Sequence, residues 1–521
     1  MKKTILALMA VTIVVKLTGM IKEIVFSYYY GASNITDAYL ISLTIPAVIF
    51  ALIGAGIAIG YIPLYNKVEN EEGKEAANAF TNNVLNFVML FCTGIVVAVF
   101  LFTKPLIFLF ASGFEGETLE MAILFTRISI VTVYFTGILY ILEANLQVKD
   151  AYKVVQIAVI PMMLITIASI AASASYGINI LIIGSVVAVI AQALIIIVYA
   201  YKKGYHYQFK VDFKDYYLKR MITLSLPVIL GSSVVQVNKI VDRTLASQIA
   251  EGGISALNYA YKIEGFITGI FVLSIVTVMY PNISRMAVSR NFIGMKKALS
   301  EAITGISLFV IPATVGAMIF AKPIVVLMFG RGAFGEAAIA MTSISLLFYS
   351  VGMIGVGIRA TLVKAFYSLE DTKTPMINAS IALVLNIILN IILSRFLGIG
   401  GLALATSISA LFATALMFFS LRRKIGALGA KEMMVSFAKI SFASIIMGIG
   451  AKLIFEALSL LIHENIALLL AIAAGAVIYF TVILFTKIDD VTAITNELKK
   501  KFRKAGAAAQ EEKSTLRRNS V

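Results

Sequence analysis

The sequence predicts an all-α, polytopic membrane protein of about 14 transmembrane helices: two parallel-repeat six-helix lobes and two additional C-terminal helices. Three observations carry that prediction: an apolar composition, a series of span-length apolar stretches, and landmarks that recur at a nearly constant offset. The 521-residue chain is 60% hydrophobic and only 14% charged, with a mean hydropathy of +0.94. A soluble domain carries about 25% charged residues, and it must still cover its core with a polar skin. Soluble enzymes and disordered or fibrous chains are excluded.

Stretches of roughly 20 apolar residues suffice to cross a bilayer. They predict helices over 4–29, 35–63, 79–103, 119–144, 153–175, 178–200, 221–248 and 254–281, then over 298–321, 337–363, 374–397, 399–421, 435–461 and 465–486. The start, Met1-Lys2-Lys3 before an apolar run, has the look of a signal peptide, but the run continues past Lys16 and Lys22 for a full span and reads as a retained first helix. Residues 489–521 form a basic polar tail, expected to be a short surface helix followed by a disordered end.

The 44 basic residues, against 28 acidic ones, give a net charge of +16. Such a balance in a soluble chain would suggest nucleic acid; in a membrane protein it marks cytoplasmic connections, and no nucleic-acid partner is expected. In the connections opposite the N-terminus only Lys104, Lys322, Arg331 and Arg395 occur, while nearly all the other basic residues outside spans lie on the side of the two termini. Both termini are therefore expected in the cytoplasm, with the protein multi-pass in a bacterial plasma membrane. Trp is absent, so Tyr and Phe must form the interfacial belt. One cysteine, Cys92, excludes a disulfide framework, and His206 and His463 cannot build a metal site between them.

Self-comparison shows a duplication. Pro63 and Pro281 are read as closing helices 2 and 8, 218 residues apart. Lys104-Pro105 and Lys322-Pro323 begin equivalent connections at the same offset. Phe-Ala-Ser-Gly-Phe-Glu-Gly-Glu (110–117) parallels Phe-Gly-Arg-Gly-Ala-Phe-Gly-Glu (329–336) at 219, and Asp150 and Asp371 follow at 221. The chain thus divides into an N-lobe (1–203, helices 1–6), a C-lobe (204–424, helices 7–12), helices 13–14 (425–488) and the tail (489–521). Repeated lobes of one orientation are the construction of alternating-access transporters that bind substrate between them.

A charge near the bilayer centre costs at least about 2.5–3.5 kcal/mol, so it faces a partner or a watery cavity. Lys16, Lys22 and Glu23 lie in helix 1, Asp37 at the start of helix 2, Lys239, Asp242 and Arg243 in helix 7, Lys262 and Glu264 in helix 8, and Arg359 in helix 10. Arg127 and Glu143 lie near span ends; Lys439 and Lys452, in the added helices, read as snorkelling. The clusters in helices 1, 7 and 8 are basic in sum, which suits a phosphate or pyrophosphate. Asn386 and Asn390, at i and i+4 in helix 11, and Thr406 in helix 12 read either as interhelical glue or as a small-cation site shared with Asp242. No P-loop, nucleophile elbow or HExxH motif appears, so the chain reads as a transporter and not an enzyme.

Several motifs resemble the MurJ (MviN) lipid II flippase family of the multidrug/oligosaccharidyl-lipid/polysaccharide (MOP) exporter superfamily. They are Lys16-Leu-Thr-Gly-Met-Ile-Lys-Glu23, Tyr30-Gly-Ala-Ser-Asn-Ile-Thr-Asp-Ala-Tyr39 with Pro46, Asn258-Tyr-Ala-Tyr-Lys262, and Phe366-Tyr-Ser-Leu-Glu-Asp-Thr-Lys-Thr-Pro375. The resemblance implies a V-shaped pair of lobes, a central cationic cavity, and flipping of undecaprenyl-pyrophosphate-linked peptidoglycan precursor to the outer leaflet, with a lipid-tail groove on helices 13–14. By motif position it matches Lys16, Lys22, Glu23, Asp37 and Lys262 to the family's charged residues, and together with the intramembrane bases Lys239, Arg243 and Arg359 these form the expected substrate site. It also implies a sodium site at Asp242, Asn386, Asn390 and Thr406, with Na+ or the membrane potential as drive and no other cofactor. Lipid II and membrane lipids are the expected partners, with cell-wall synthesis proteins around a monomer. Two departures matter: Phe50-Ala51 stands where the family has Arg-Arg, with Ala55 in place of a nearby Glu, and Asn390 replaces a carboxylate. They keep open a flippase for another polyprenyl-linked glycan, and less strongly a cation-coupled drug exporter.

Overall fold

A computed structural model describes residues 2–486; the tail read from 489 onward lies outside them. Among the described residues every regular element is a helix. In chain order they are α1 (Lys2–Tyr30), α2 (Asn34–Glu72), α3 (Lys74–Leu101), α4 (Thr103–Phe110), α5 (Gly116–Ser129), α6 (Thr132–Val148), α7 (Tyr152–Ile157), α8 (Val159–Tyr176) and α9 (Asn179–Lys202). The second repeat supplies α10 (Tyr216–Ile249), α11 (Gly253–Val288), α12 (Phe292–Ile319), α13 (Ala321–Phe329), α14 (Glu336–Ser368), α15 (Lys373–Leu397) and α16 (Ile399–Ile425). The added pair is α17 (Ala430–Ser459) and α18 (Glu464–Phe485).

Among the described residues ten helical stretches are long and apolar enough to cross a membrane, or twelve if each of two bent pairs is one span. α1 and α10, the carriers of the charge clusters, are 29 and 34 residues long, the length of a span. The fourth predicted span is broken, with α5 and α6 meeting at 44°.

One sequence reading needs correction and two gain detail. Pro63 and Pro281 do not close their helices but lie inside α2 and α11, which run on beyond the apolar stretch. The connections opening with Lys104-Pro105 and Lys322-Pro323 are short helices, α4 and α13. Proline is tolerated there because first-turn N–H groups have no intrahelical acceptor. The fifth predicted span stands as Tyr152–Tyr176, with a single turn at Ala158 between α7 and α8.

The chain forms two compact units. One comprises residues up to Phe266 with Val325–Tyr349 and Ala379–Ser409; the other comprises Ile267–Ile324, Ser350–Asn378 and the chain from Ala410. The first unit thus joins all of 1–203 to parts of 204–424. Its aromatic core packs Phe50, Tyr61, Tyr65 and Phe80 between α2, α3 and α6, and the Tyr61 hydroxyl is satisfied by Thr81 Oγ1 at 2.8 Å and by Asn145 Nδ2 at 3.0 Å.

The segment joining the repeats is strapped to α3 in the same unit. Asn78 donates to the Gly204 carbonyl (3.1 Å), Asn82 to His206 (2.9 Å), Asn86 to Lys210 (3.0 Å) and Asn83 to Asp212 (3.0 Å). Asn86 also approaches the Gln208 carbonyl at 3.5 Å. Four helical residues rise about 6 Å and two extended residues about 6.6 Å, so Asn78, Asn82 and Asn86, one turn apart, meet the Gly204, His206 and Gln208 carbonyls in step, while Asn83 holds the end of the segment at Asp212. In the second unit α12, α17 and α18 pack together, the Tyr479 hydroxyl donating to the Leu308 carbonyl at 2.7 Å. Lys452 pairs with Glu456 one turn on at 3.8 Å, both half-exposed.

Candidate functional site

The charged residues of α1, α2, α10 and α11 fall into three groups within the first unit. At the first, Glu23 is 3% exposed and receives Lys22 Nζ at 3.0 Å and Lys262 Nζ at 3.6 Å. α1 supplies the neighbouring Lys22 and Glu23, and α11 brings Lys262 across from the other repeat. The carboxylate keeps one oxygen, Oε2, without a hydrogen-bond partner. Both lysines remain partly exposed, at 27% and 46% of the side chain. One buried anion therefore holds two cations that still reach solvent-accessible space, an arrangement able to receive an anionic headgroup.

The second group centres on Asp37, 1% exposed. Its Oδ1 accepts the Ser255 backbone N–H at 2.7 Å, in the first turn of α11. This is helix capping in trans: a carboxylate satisfies an orphan N–H and sits at the positive end of the helix dipole. Asp37 consequently positions α11, and with it Lys262 two turns on.

The third group lies on α10 and α15. Asn390 Nδ2 donates to Asp242 Oδ1 at 2.6 Å and to Asn386 Oδ1 at 2.9 Å, whereas Asn390 Oδ1 and Asn386 Nδ2 have no partner. The amide nitrogen thus occupies the point where a cation would hold the two oxygens together. Turning the Asn390 amide would replace it with a third oxygen, and amide oxygen and nitrogen are sterically equivalent. The donor set fits a hard cation in that rotated state alone. Among the described residues no cluster of three His, Cys, Asp or Glu could hold a metal ion. The Thr406 hydroxyl donates to the Leu402 carbonyl at 3.0 Å, leaving its oxygen lone pairs free to accept.

Arg243 lies within electrostatic reach of both Asp37 and Asp242 and keeps one guanidinium nitrogen without a hydrogen-bond partner. The remaining predicted residues stand apart from these contacts, and Lys239 is exposed. Lys16 lies nearly two turns before Lys22 on α1. Arg359 belongs to the second unit. Arg127 donates to Thr103 Oγ1 and Glu143 accepts from Gln192, both at 3.4 Å. Phe50 is 1% exposed and stacks on Tyr140 with ring centroids 6.1 Å apart. Sequence reasoning missed Ser255, whose contribution is a backbone N–H that no motif encodes. It also missed Asn34, which hydrogen-bonds Glu251.

A sequence profile of the family "Lipid II flippase MurJ" matches residues 26–485. A probable lipid II flippase MurJ of Vibrio cholerae is 36% identical over 229 residues, 44% of each chain. The lipid II flippase MurJ of Burkholderia cenocepacia is 24% identical over 446 residues, covering 81% of this chain and 84% of its own. A solved structure of a lipid II flippase MurJ in an inward closed conformation has a TM-score of 0.78 at 26% identity, covering 91% of this chain and 97% of that one. An inward-facing MATE multidrug transporter of the MOP superfamily shares the fold, with a TM-score of 0.68 at 17% identity, covering 80% of this chain and 95% of its own. With a match running from the end of α1 to the end of α18, the chain belongs to the lipid II flippase MurJ family.

Proposed function

We propose that this protein flips lipid II, an undecaprenyl-pyrophosphate-linked precursor, from the cytoplasmic to the outer leaflet of a bacterial plasma membrane by alternating access, with both termini in the cytoplasm. The observation that carries the reading, beside family membership, is Glu23 held between Lys22 and Lys262. The lysines attract the pyrophosphate, and the buried carboxylate competes for them, so the headgroup is released when the lobes rock and the pairing is restored. Transport and not catalysis is the proposed activity, in line with the family. The lipid chain would lie on α17 and α18, and the protein would act as a monomer beside the cell-wall synthesis proteins that consume its product.

The test is rescue of a bacterium depleted of its own lipid II flippase, scored by lipid II reaching the outer leaflet. The parent protein should restore externalisation, and Lys22→Ala or Lys262→Ala should abolish it at normal expression. Full activity in both variants would remove this site from the mechanism. Failure of the well-inserted parent would favour a second reading, a flippase for another polyprenyl-linked glycan such as a capsule, O-antigen or teichoic unit. Phe50 supports that reading: a buried ring stacked on Tyr140 stands where the family carries an arginine.

The drive is the membrane potential or an ion gradient. Sodium would enter among Asp242, Asn386, Asn390 and Thr406 after rotation of the Asn390 amide, where it would supply charge compensation for Asp242. Sodium should then raise the melting temperature over equimolar potassium, and Asn390→Asp should enlarge that difference. Equal melting in both salts, in both proteins, would leave the potential as the drive.

A further inference from the structure

We propose that Gly31, Gly113, Gly252 and Gly332 form a backbone-to-backbone seal between the two repeats, and that this seal is the gate that opens to release cargo at the face opposite the N-terminus. The inference rests on the transport reading above.

The contact is made twice by the same construction. Gly332, in the turn between α13 and α14, sits against the carbonyl oxygen of Tyr28 near the end of α1; Gly113, in the turn between α4 and α5, sits against the carbonyl oxygen of Ser247 near the end of α10. Gly113 and Gly332 are 219 residues apart, and so are Tyr28 and Ser247. Each repeat therefore lays the turn before its fourth predicted span on the first helix of the other repeat. Between these contacts Gly31 meets the Ala333 carbonyl and Gly252 meets the Ala32 carbonyl. At all four glycines a Cβ would stand under 3.0 Å from the opposing oxygen, closer than real Cβ atoms approach. Only bare backbone permits this closure.

Hydrogen bonds along the seam tie the same segments. The Ala333 N–H donates to the Tyr28 carbonyl at 2.8 Å, the Gly113 N–H to Ser247 Oγ at 3.1 Å, Gln248 Nε2 to Ser112 Oγ at 2.7 Å and Thr244 Oγ1 to the Leu109 carbonyl at 2.8 Å. The Tyr259 hydroxyl donates to the Gly31 carbonyl at 3.2 Å, and Asn34 donates to Glu251.

Three features make this a gate and not static packing. α1 crosses once from the N-terminus, so its end, and all that docks on it, lies at the opposite face. The contacts join one repeat to the other, the surfaces that must part when one repeat rocks against its partner. Finally, most of the seam consists of neutral hydrogen bonds that water can replace at small net cost. Shape complementarity closes it, and the bonds of the buried Tyr259 to Gly31 and of Asp37 to the Ser255 N–H are what opening must break.

The test uses the full-length protein in cells, with Cys92 replaced by Ala and Ser255→Cys as reporter. Ser255 is fully buried in the first turn of α11, three residues past Gly252. A membrane-impermeant maleimide added from outside should label the reporter slowly in the parent background. Labelling should rise about tenfold or more in Gly113→Ala and in Gly332→Ala, as the closed population falls. Gly113 has no left-handed backbone, so its substitution perturbs by bulk alone. Unchanged labelling in both folded variants overturns the proposal. A second arm leaves every glycine intact: Asn34→Cys with Glu251→Cys should cross-link under oxidant, stop externalisation, and recover it on reduction. Quantitative cross-linking with transport undiminished also overturns the gate. Raised labelling in a protein that externalises no lipid II would uphold the gate and reject the cargo, which separates the two readings.

Discussion

Replacing Glu23 by Gln keeps the shape of the side chain and removes the single anion between Lys22 and Lys262. At 3.0 and 3.6 Å and an effective dielectric of 20, each attraction is about 5 kcal/mol before desolvation and screening. Breaking a fully buried pair by removing one partner costs about 3–5 kcal/mol. Here the lysine side chains are 27% and 46% exposed and can relax into water, so the net expectation falls to about 2 kcal/mol. The assay is thermal unfolding of the purified protein in detergent for Glu23→Gln, Lys22→Met and the double variant. The single variants should each lower stability, and the double should recover about 1–2 kcal/mol of the sum, since it removes both members of the pair. In parallel, Glu23→Gln should bind the pyrophosphate headgroup more tightly and flip it more slowly, because nothing then competes for the lysines. Additive stabilities together with unchanged binding and flipping would refute the reasoning that Glu23 competes with cargo for these cations.

Asp37→Ala removes the cap of α11 and should cost about 1–2 kcal/mol, read as a lower melting temperature with a proportionate loss of flipping, because Lys262 rides on the same helix. Asn82→Ala removes a bond to His206 and leaves the Tyr205 hydroxyl, now bonded to Asn82 Oδ1 at 2.6 Å, without its partner; limited trypsin digestion should cut sooner at the exposed Lys210 and Lys214. At the membrane edge, burial opposes ionisation of Asp371, but hydrogen bonds from Lys424 and Thr374 outweigh it and hold its pKa down at about 2. A carboxyl depressed from an ordinary value of about 3.9 contributes stability that is complete above about pH 4 and is lost as pH falls towards 2. Asp371→Asn should remove that portion of the acid dependence of melting and leave the neutral-pH profile shifted by a constant.

How much of this was legible depends on the kind of signal. Span positions follow from long apolar runs, and each of the fourteen predicted stretches contains helix. Boundaries at proline were misread because Pro63 and Pro281 look like terminators, yet α2 and α11 continue through them with other contacts in place of one lost backbone bond. Glu23 between two lysines was half visible: Lys22 is adjacent in sequence, while Lys262 enters through the tertiary fold alone. Asp37 was read as a ligand on charge and motif, but its geometry is that of a cap, and a backbone N–H such as that of Ser255 leaves no trace in composition. The glycine seam illustrates the same divide. Gly113 and Gly332 already matched in the duplicated octapeptide; what they touch, Ser247 and Tyr28, became evident once the fold placed the two repeats together.

The choice between cargoes turns on where the positive charge went. Phe50 packs with Ile57, Tyr61 and Ile141 in an apolar cluster and stacks on Tyr140, so an arginine there would bury a guanidinium among rings and aliphatic chains, with Glu143, one turn along α6 from Tyr140, as the nearby acid. Under the proposed function phosphate recognition would fall to Lys22 and Lys262, mobile point charges that lack the planar fork with which arginine grips two oxygens at once. A lysine pair held by one carboxylate accepts a pyrophosphate in several poses. On that reading such a site would select the anionic linkage shared by all polyprenyl-pyrophosphate glycans and leave discrimination between glycans to contacts with the sugars.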